Sequence, residues 1–103
     1  MTDIHRSIGE SPDHERSIES RMARARFRAW HRGTREADFL IGGFYDARHE
    51  NWAEADLAWF EDLLDEDDVD VMAWALAVRD PPERFAGPQL DSLRRLDFVH
   101  VHA

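Results

Sequence analysis

The sequence predicts an all-α fold, a compact five-helix bundle behind a disordered N-terminal tail. Three observations predict it. Apolar residues recur at i, i+3, i+4 and i+7 in successive segments of the 103-residue chain, the spacing that gathers them on one helix face. The segments are separated by Gly33, by an acidic run and by Asp80-Pro81-Pro82, signals that stop one helix and start the next. No Asn-Gly or Asp-Gly dipeptide joins two alternating segments, so the sign of a tight β-hairpin is missing.

Residues 1–12 are polar, lack periodicity and close on Ser11-Pro12, which reads as a disordered tail. From Asp13 a first helix carries Ile18, Met22, Ala25 and Ala29 on one stripe, widened by Phe27 and Trp30, with Arg21, Arg24 and Arg28 on another. The pattern stops at Gly33. Thr34 is placed to cap a second helix whose inner face is Ala37, Leu40, Ile41 and Phe44. Gly42-Gly43 lies inside that helix, where each glycine costs about 1 kcal/mol relative to alanine. Either the helix bends there or another backbone packs closely against it.

Asn51-Trp52-Ala53-Glu54 has the spacing of a capping box, with Asn51 as the cap of a third helix that buries Leu57, Phe60 and Leu64 beside Trp59 and Leu63. Asp65 to Asp70 holds five acids in six residues and reads as a turn in which Asp67 or Asp68 caps a fourth helix. The face of that helix is Val71, Trp74, Ala75 and Val78, with Met72 and Leu76 beside it. Asp80-Pro81-Pro82 ends it, because proline lacks the amide donor and restricts the residue before it. Pro88 or Asp91 opens a short fifth helix with Leu90, Leu93 and Leu96. Phe98-Val99-His100-Val101-His102 reads as a fraying or extended tail. The helical domain is thus expected at 13–98, between tails at 1–12 and 99–103. Trp52, Trp59 and Trp74 read as core, and Trp30, next to the glycine, as partly exposed.

Composition narrows the function classes. Hydrophobic residues make up 43 % and charged residues 34 %, the balance of a soluble helical domain. Cysteine is absent, which removes a disulfide framework, a thiol nucleophile and a thiolate metal site and suits a reducing compartment. No apolar leader or membrane-length run occurs, so the expectation is a cytoplasmic monomer with no membrane partner. The formal charge is -9, and every basic residue is arginine. Residues 1–35 hold eight arginines against five acids, residues 36–70 one against thirteen, and residues 71–103 four of each. An acidic chain is a poor ligand for nucleic acid. The arginine stripe faces either phosphate or the acidic middle of its own chain, and intramolecular or solvated pairing is the default.

Catalytic and metal motifs are weak. Neither phosphate-binding glycine loop occurs, and no Ser/His/Asp order is persuasive in a small helical chain. The acidic run lacks the central glycine and terminal glutamate of a calcium loop. His100 and His102 are one residue apart, but nothing else converges on them. The expectation is no catalytic residue and no metal.

The most informative stretch is Trp30-His31-Arg32-Gly33-Thr34-Arg35-Glu36-Ala37-Asp38. It places Arg32, Glu36 and Asp38 around a glycine corner, where acids in a first helical turn are favoured by the helix dipole. On spacing alone it also reads as a helix C-cap followed by a solvated first turn. His31 at this corner either donates to a partner or is solvated.

With its extension Phe39-Leu40-Ile41-Gly42-Gly43-Phe44, this stretch resembles the signature of the succinate dehydrogenase assembly factor family (SdhE-type). These are small flavinylation-promoting chaperones of bacteria and mitochondria. The resemblance continues through Leu63-Leu64-Asp65-Glu66-Asp67-Asp68-Val69-Asp70 and Trp74; it covers roughly residues 20–80. Val69 stands where the family often has proline. The resemblance implies a five-helix bundle that is not an enzyme. It implies binding to the flavoprotein subunit of succinate dehydrogenase, or of fumarate reductase, to promote covalent FAD attachment there. The flavin would reside in that subunit, with no cofactor of this chain's own. By the motif, partner contact falls on Arg32, Gly33, Glu36 and Asp38, bordered by His31 and Arg35. Two other classes stay open: a regulatory module such as an antitoxin or adaptor, and a protein that binds FAD itself.

Overall fold

Five α-helices and two short 3-10 turns make up residues 17–99, the part of the chain that the computed structural model describes. The tail expected at 1–12, and His100 and His102, lie outside the described residues. Helix α1 is helical through residues 17–30. It is followed by α2 (Arg35–Arg48), α3 (Glu54–Leu64), α4 (Asp68–Ala75) and α5 (Pro88–Arg94). The 3-10 turns are His49–Asn51 and Glu83–Phe85. No strand occurs among the described residues.

The expected stripes face inward. Ala25 and Ala29 of α1, Ala37, Leu40, Ile41 and Phe44 of α2, and Leu57, Phe60, Leu63 and Leu64 of α3 are all buried. Phe44 sits at the centre, with ring centroids 5.4 Å from Phe98, 6.0 Å from Trp52 and Phe60, and 6.3 Å from Trp59. Burying one such aromatic ring stabilises by about 1.5–3 kcal/mol, so this cluster is the main apolar anchor. Trp59 keeps its indole N–H satisfied by donating to the Phe85 carbonyl at 3.2 Å. Tyr45, also buried, donates its hydroxyl to the Met22 carbonyl of α1 at 3.2 Å, and burial raises its pKa.

Helix α2 runs unbroken through Gly42-Gly43. The two glycines admit two different neighbours. At Gly42 an added Cβ would come within 3.0 Å of three atoms of the Trp30 indole, so a ring, not a backbone, lies across α2 there. At Gly43 it would come to 3.2 Å from the Phe98 carbonyl oxygen. The glycines are the grooves into which α1 and the C-terminal segment settle.

The uneven charge is largely consumed within the fold. Arg21 of α1 pairs with Glu54 at 3.0 Å and Glu61 at 2.8 Å, and Arg28 pairs with Asp65 at 2.8 Å. Because both numbers rise together, α1 and α3 lie parallel, with α2 antiparallel between them in sequence. Arg26 meets Asp46 of α2 at 3.6 Å. Each exposed pair adds little, about 0.2–1 kcal/mol, but together they fix register. Arg24 is exposed and has no ion-pair partner among the described residues.

Four expectations need correcting. The cap of α3 is Ala53, not Asn51, and Asp56 at the third helical position accepts from the Ala53 amide at 2.9 Å; Asn51 is used in the 3-10 turn. Phe27 does not widen the inner face but is 63 % exposed. Val78 is not on the α4 face, because α4 stops at Ala75 and leaves Val78 exposed. Phe98, expected in a tail, is buried in the core. The α4 stop is a left-handed cap. Ala77 has φ 59°, the Val78 amide donates back to the Ala73 carbonyl at 2.9 Å, and the Ala77 amide to Trp74 at 3.1 Å. That is the hydrogen-bond pattern usually built on glycine. Arg94 of α5 seals the same end by donating to the Trp74 carbonyl at 2.7 Å.

Two substitutions test this packing. Gly42→Ala gains about 1 kcal/mol of helix propensity but overpacks the Trp30 site by about 1–3 kcal/mol. The expected net result is a lower urea midpoint with altered tryptophan emission. Ala77→Gly relieves a left-handed alanine at about 1 kcal/mol, so the midpoint should rise.

Candidate functional site

The corner between α1 and α2 is built by residues 31–38, and the sequence dictates its shape. The His31 amide closes α1 by donating to the Arg28 carbonyl at 3.3 Å. Gly33 then takes φ 115°, a conformation that side-chain-bearing residues rarely adopt. Thr34 caps α2 as expected, its hydroxyl accepting from the Ala37 amide at 3.2 Å.

Arg32 is held on every side. Its backbone amide donates to the Asp38 carboxylate at 2.6 Å. Its guanidinium donates to Asp68 at 2.8 Å through Nε, to the Leu64 carbonyl at 2.9 Å through Nη1, and to the Glu66 carbonyl at 3.0 Å through Nη2. Only 10 % of the side chain is exposed. The acceptors are there for a reason. Leu64 ends α3, where carbonyls lack helical partners and the dipole is negative, so a cation is favoured. Asp68 opens α4. Arg28 adds a second donor to Leu64 at 3.1 Å.

The six residues singled out by motif therefore divide. Arg32 and Asp38 are engaged inside the chain. Gly33, Arg35 and Glu36 are exposed, and Arg35 and Glu36 have no ion-pair partner among the described residues. His31 is exposed and stacks on Phe27, with centroids 4.0 Å apart. One His31 ring nitrogen lies 2.7 Å from the Phe27 carbonyl.

Sequence reasoning missed the aromatic border of this corner. Phe27 and Phe39 are the two exposed aromatics, at 63 % and 43 %, and Trp30 meets Phe39 edge-on at 6.2 Å. A groove of about 500 Å³ opens beside them, lined by Trp30, Phe39, Gly43, Asp46, Arg48 and Phe98 among others. The signal was available for Phe39, which falls off the Ala37, Leu40, Ile41, Phe44 stripe. Among the described residues no group of three or more His, Cys, Asp or Glu is arranged to hold a metal. No described helix is long and apolar enough to cross a membrane.

The family described as flavinator of succinate dehydrogenase matches residues 23–97, the corner and the four helices after it included. The chain belongs to that family. Among similar proteins is the FAD assembly factor SdhE of Acetobacter pasteurianus, 37 % identical over 76 residues, which are 74 % of this chain and 70 % of that protein. The mitochondrial succinate dehydrogenase assembly factor 2 of Cryptococcus neoformans is 35 % identical over 89 residues, 85 % of this chain and 49 % of the relative. That of Schizosaccharomyces pombe is 31 % identical over 78 residues, 73 % of this chain and 56 % of the relative. The chain thus spans about half the length of these two fungal flavinator relatives. No solved structure matches it. The match to the flavinator family agrees with the all-helical architecture.

The Thr34 cap offers a direct check on the corner. Thr34→Ala should cost about 1 kcal/mol, read as a lower thermal midpoint with little change in helical content.

Proposed function

We propose that this chain is an assembly factor that binds the flavoprotein subunit of succinate dehydrogenase and promotes covalent attachment of FAD to a histidine of that subunit. It acts as a monomer, on the free subunit, in the cytoplasm. The flavin belongs to the subunit, and this chain supplies no catalytic residue and no cofactor. The observation that supports the reading is the prearranged corner in a chain of the flavinator family. It combines an exposed positive-φ glycine, exposed Arg35 and Glu36 with no ion-pair partner among the described residues, and a fixed frame of Arg32 and Asp38 behind them.

The mechanism is conformational. Forming the flavin bond requires a histidine nucleophile aligned with an electrophilic methyl carbon of the flavin, and alignment of reactants is worth several kcal/mol. A protein that binds only the aligned subunit shifts the population toward it. Gly33 permits close approach of the partner backbone. Glu36 and Arg35 make charge-assisted hydrogen bonds, which are stronger than neutral ones, and His31 borders the contact.

The test is co-expression with the subunit, followed by fluorescence of covalent flavin in the denatured subunit. Glu36→Arg is the informative variant, because the side chain is exposed and has no ion-pair partner among the described residues, so that only its modest helix-dipole contribution is at stake in the fold. Gly33→Arg adds strain of about 1–3 kcal/mol at its positive φ, so its loss of function is harder to interpret. Glu36→Arg should fold as the parent does and lower the flavinylated fraction about tenfold, the effect of losing a charged hydrogen bond. Full attachment with Glu36→Arg would remove the corner from the mechanism. A yellow complex of the isolated chain with added FAD would favour direct flavin binding instead.

A further inference from the structure

The motif that places Arg32 in the family signature invites the view that Arg32 touches the partner. The geometry points elsewhere. We infer that Arg32 and Asp38 are positioning residues: they set the shape of the corner from inside, and partner contact is left to Gly33, Arg35 and Glu36. This rests on the assembly-factor reading of the same corner.

Three observations carry the inference. First, the three guanidinium nitrogens of Arg32 all donate within the chain, to Asp68, Leu64 and Glu66 at 2.8 to 3.0 Å. Offering the fork to a partner would take this donor from the Glu66 carbonyl and the Asp68 carboxylate and leave the Leu64 carbonyl to Arg28 alone, and unmaking such bonds is costly. Second, the side chain is 10 % exposed while its acceptor Asp68 is 26 % exposed, so the pair is shielded from a visiting surface. Third, the short loop is pinned at both ends. The Arg32 amide is tied to Asp38 at 2.6 Å, and the Arg32 side chain is tied to the α3–α4 turn. Residues 33–36 lie between these ties, with Thr34 bonded to Ala37 at 3.2 Å. A loop held this way loses little freedom on docking, and preorganisation of this kind raises affinity without any new contact.

The two roles differ in what Asp68 should do. If Arg32 positions, Asp68 is its tether, and removing either end loosens the same loop. If Arg32 contacts the partner, removing Asp68 frees a cation and leaves affinity the same or better. The experiment measures binding of the full chain to purified flavin-free flavoprotein subunit of succinate dehydrogenase, across a salt series, for Arg32→Gln, Asp68→Asn and the double variant. Thermal melts establish folding of each. We expect each single variant to weaken binding roughly tenfold and the double to match the singles, not their product, as coupled residues do. The slope of log Kd against log salt should stay that of the parent chain, since no contact charge is lost. Arg32→Lys should behave as Arg32→Gln, because an ammonium does not span three acceptors as the planar fork does. Should Arg32→Gln not fold, Asp68→Asn with Arg32→Lys carries the test. Undiminished binding by Asp68→Asn, or a weakened and less salt-sensitive Arg32→Gln, would overturn the inference. If the parent chain does not bind the subunit at all, the assembly-factor reading fails, a result distinct from failure of the positioning role.

Discussion

The structure depends on one arginine joining four helices. Arg32 leaves the end of α1, holds the first turn of α2 through its amide, and spans the end of α3 and the start of α4 with its guanidinium. The fork suits this task because it offers several fixed donors to acceptors of differing kind. The negative end of α3 supplies one of those acceptors, the turn after it the second, and the first residue of α4 the third. A lysine has no geometry for it. The corner that the family resemblance singles out is therefore a product of tertiary contacts between residues more than thirty positions apart, although it looks local in sequence.

Around that fastener the fold divides its labour. Phe44 and the rings packed on it supply apolar burial. The glycine pair of α2 lets two bulky neighbours, Trp30 and Phe98, lie close to the helix axis. Charge does neither job. The arginine-rich first third and the acidic middle meet mostly along the parallel α1–α3 seam, so a formal charge of -9 coexists with a surface on which many acids already have a cation. Glu36 and Arg35, like Arg24, take no part in that pairing among the described residues, and they flank the corner.

The helices were legible because periodicity reports burial directly. Ala37, Leu40, Ile41 and Phe44 are all inside, as are Leu57, Phe60 and Leu64. What escaped detection depends on chain geometry that the residue letters do not display. Ala77 adopts the left-handed cap that glycine normally signals, so periodicity alone runs α4 one turn too far and puts Val78 on its face. Glu54 stands three residues after Asn51 and gives it the spacing of a cap, but the chain uses the Ala53–Asp56 pair instead, the Asp56 carboxylate accepting from the Ala53 amide. Phe98 sits beyond the last helix, and nothing local says that a groove at Gly43 waits for it. At the site, the spacing picked out the α1–α2 corner with its exposed Gly33 and Glu36. It did not separate them from Arg32, because the partners of Arg32 lie at Leu64, Glu66 and Asp68.

The long reach of Arg32 ties the shape of the α1–α2 corner to the order of folding. A nascent chain that has made only α1 and α2 has the letters of the corner without its form, since the anchors on α3 and α4 are still missing. Local opening of the α3–α4 turn would likewise dissolve the corner while leaving α1 and α2 helical. Amide exchange at residues 33–36 should then follow the opening of residues 64–68 as one cooperative unit. On the proposed function, such a chain would offer its contact corner only once it is whole, so unfinished copies would not engage a client.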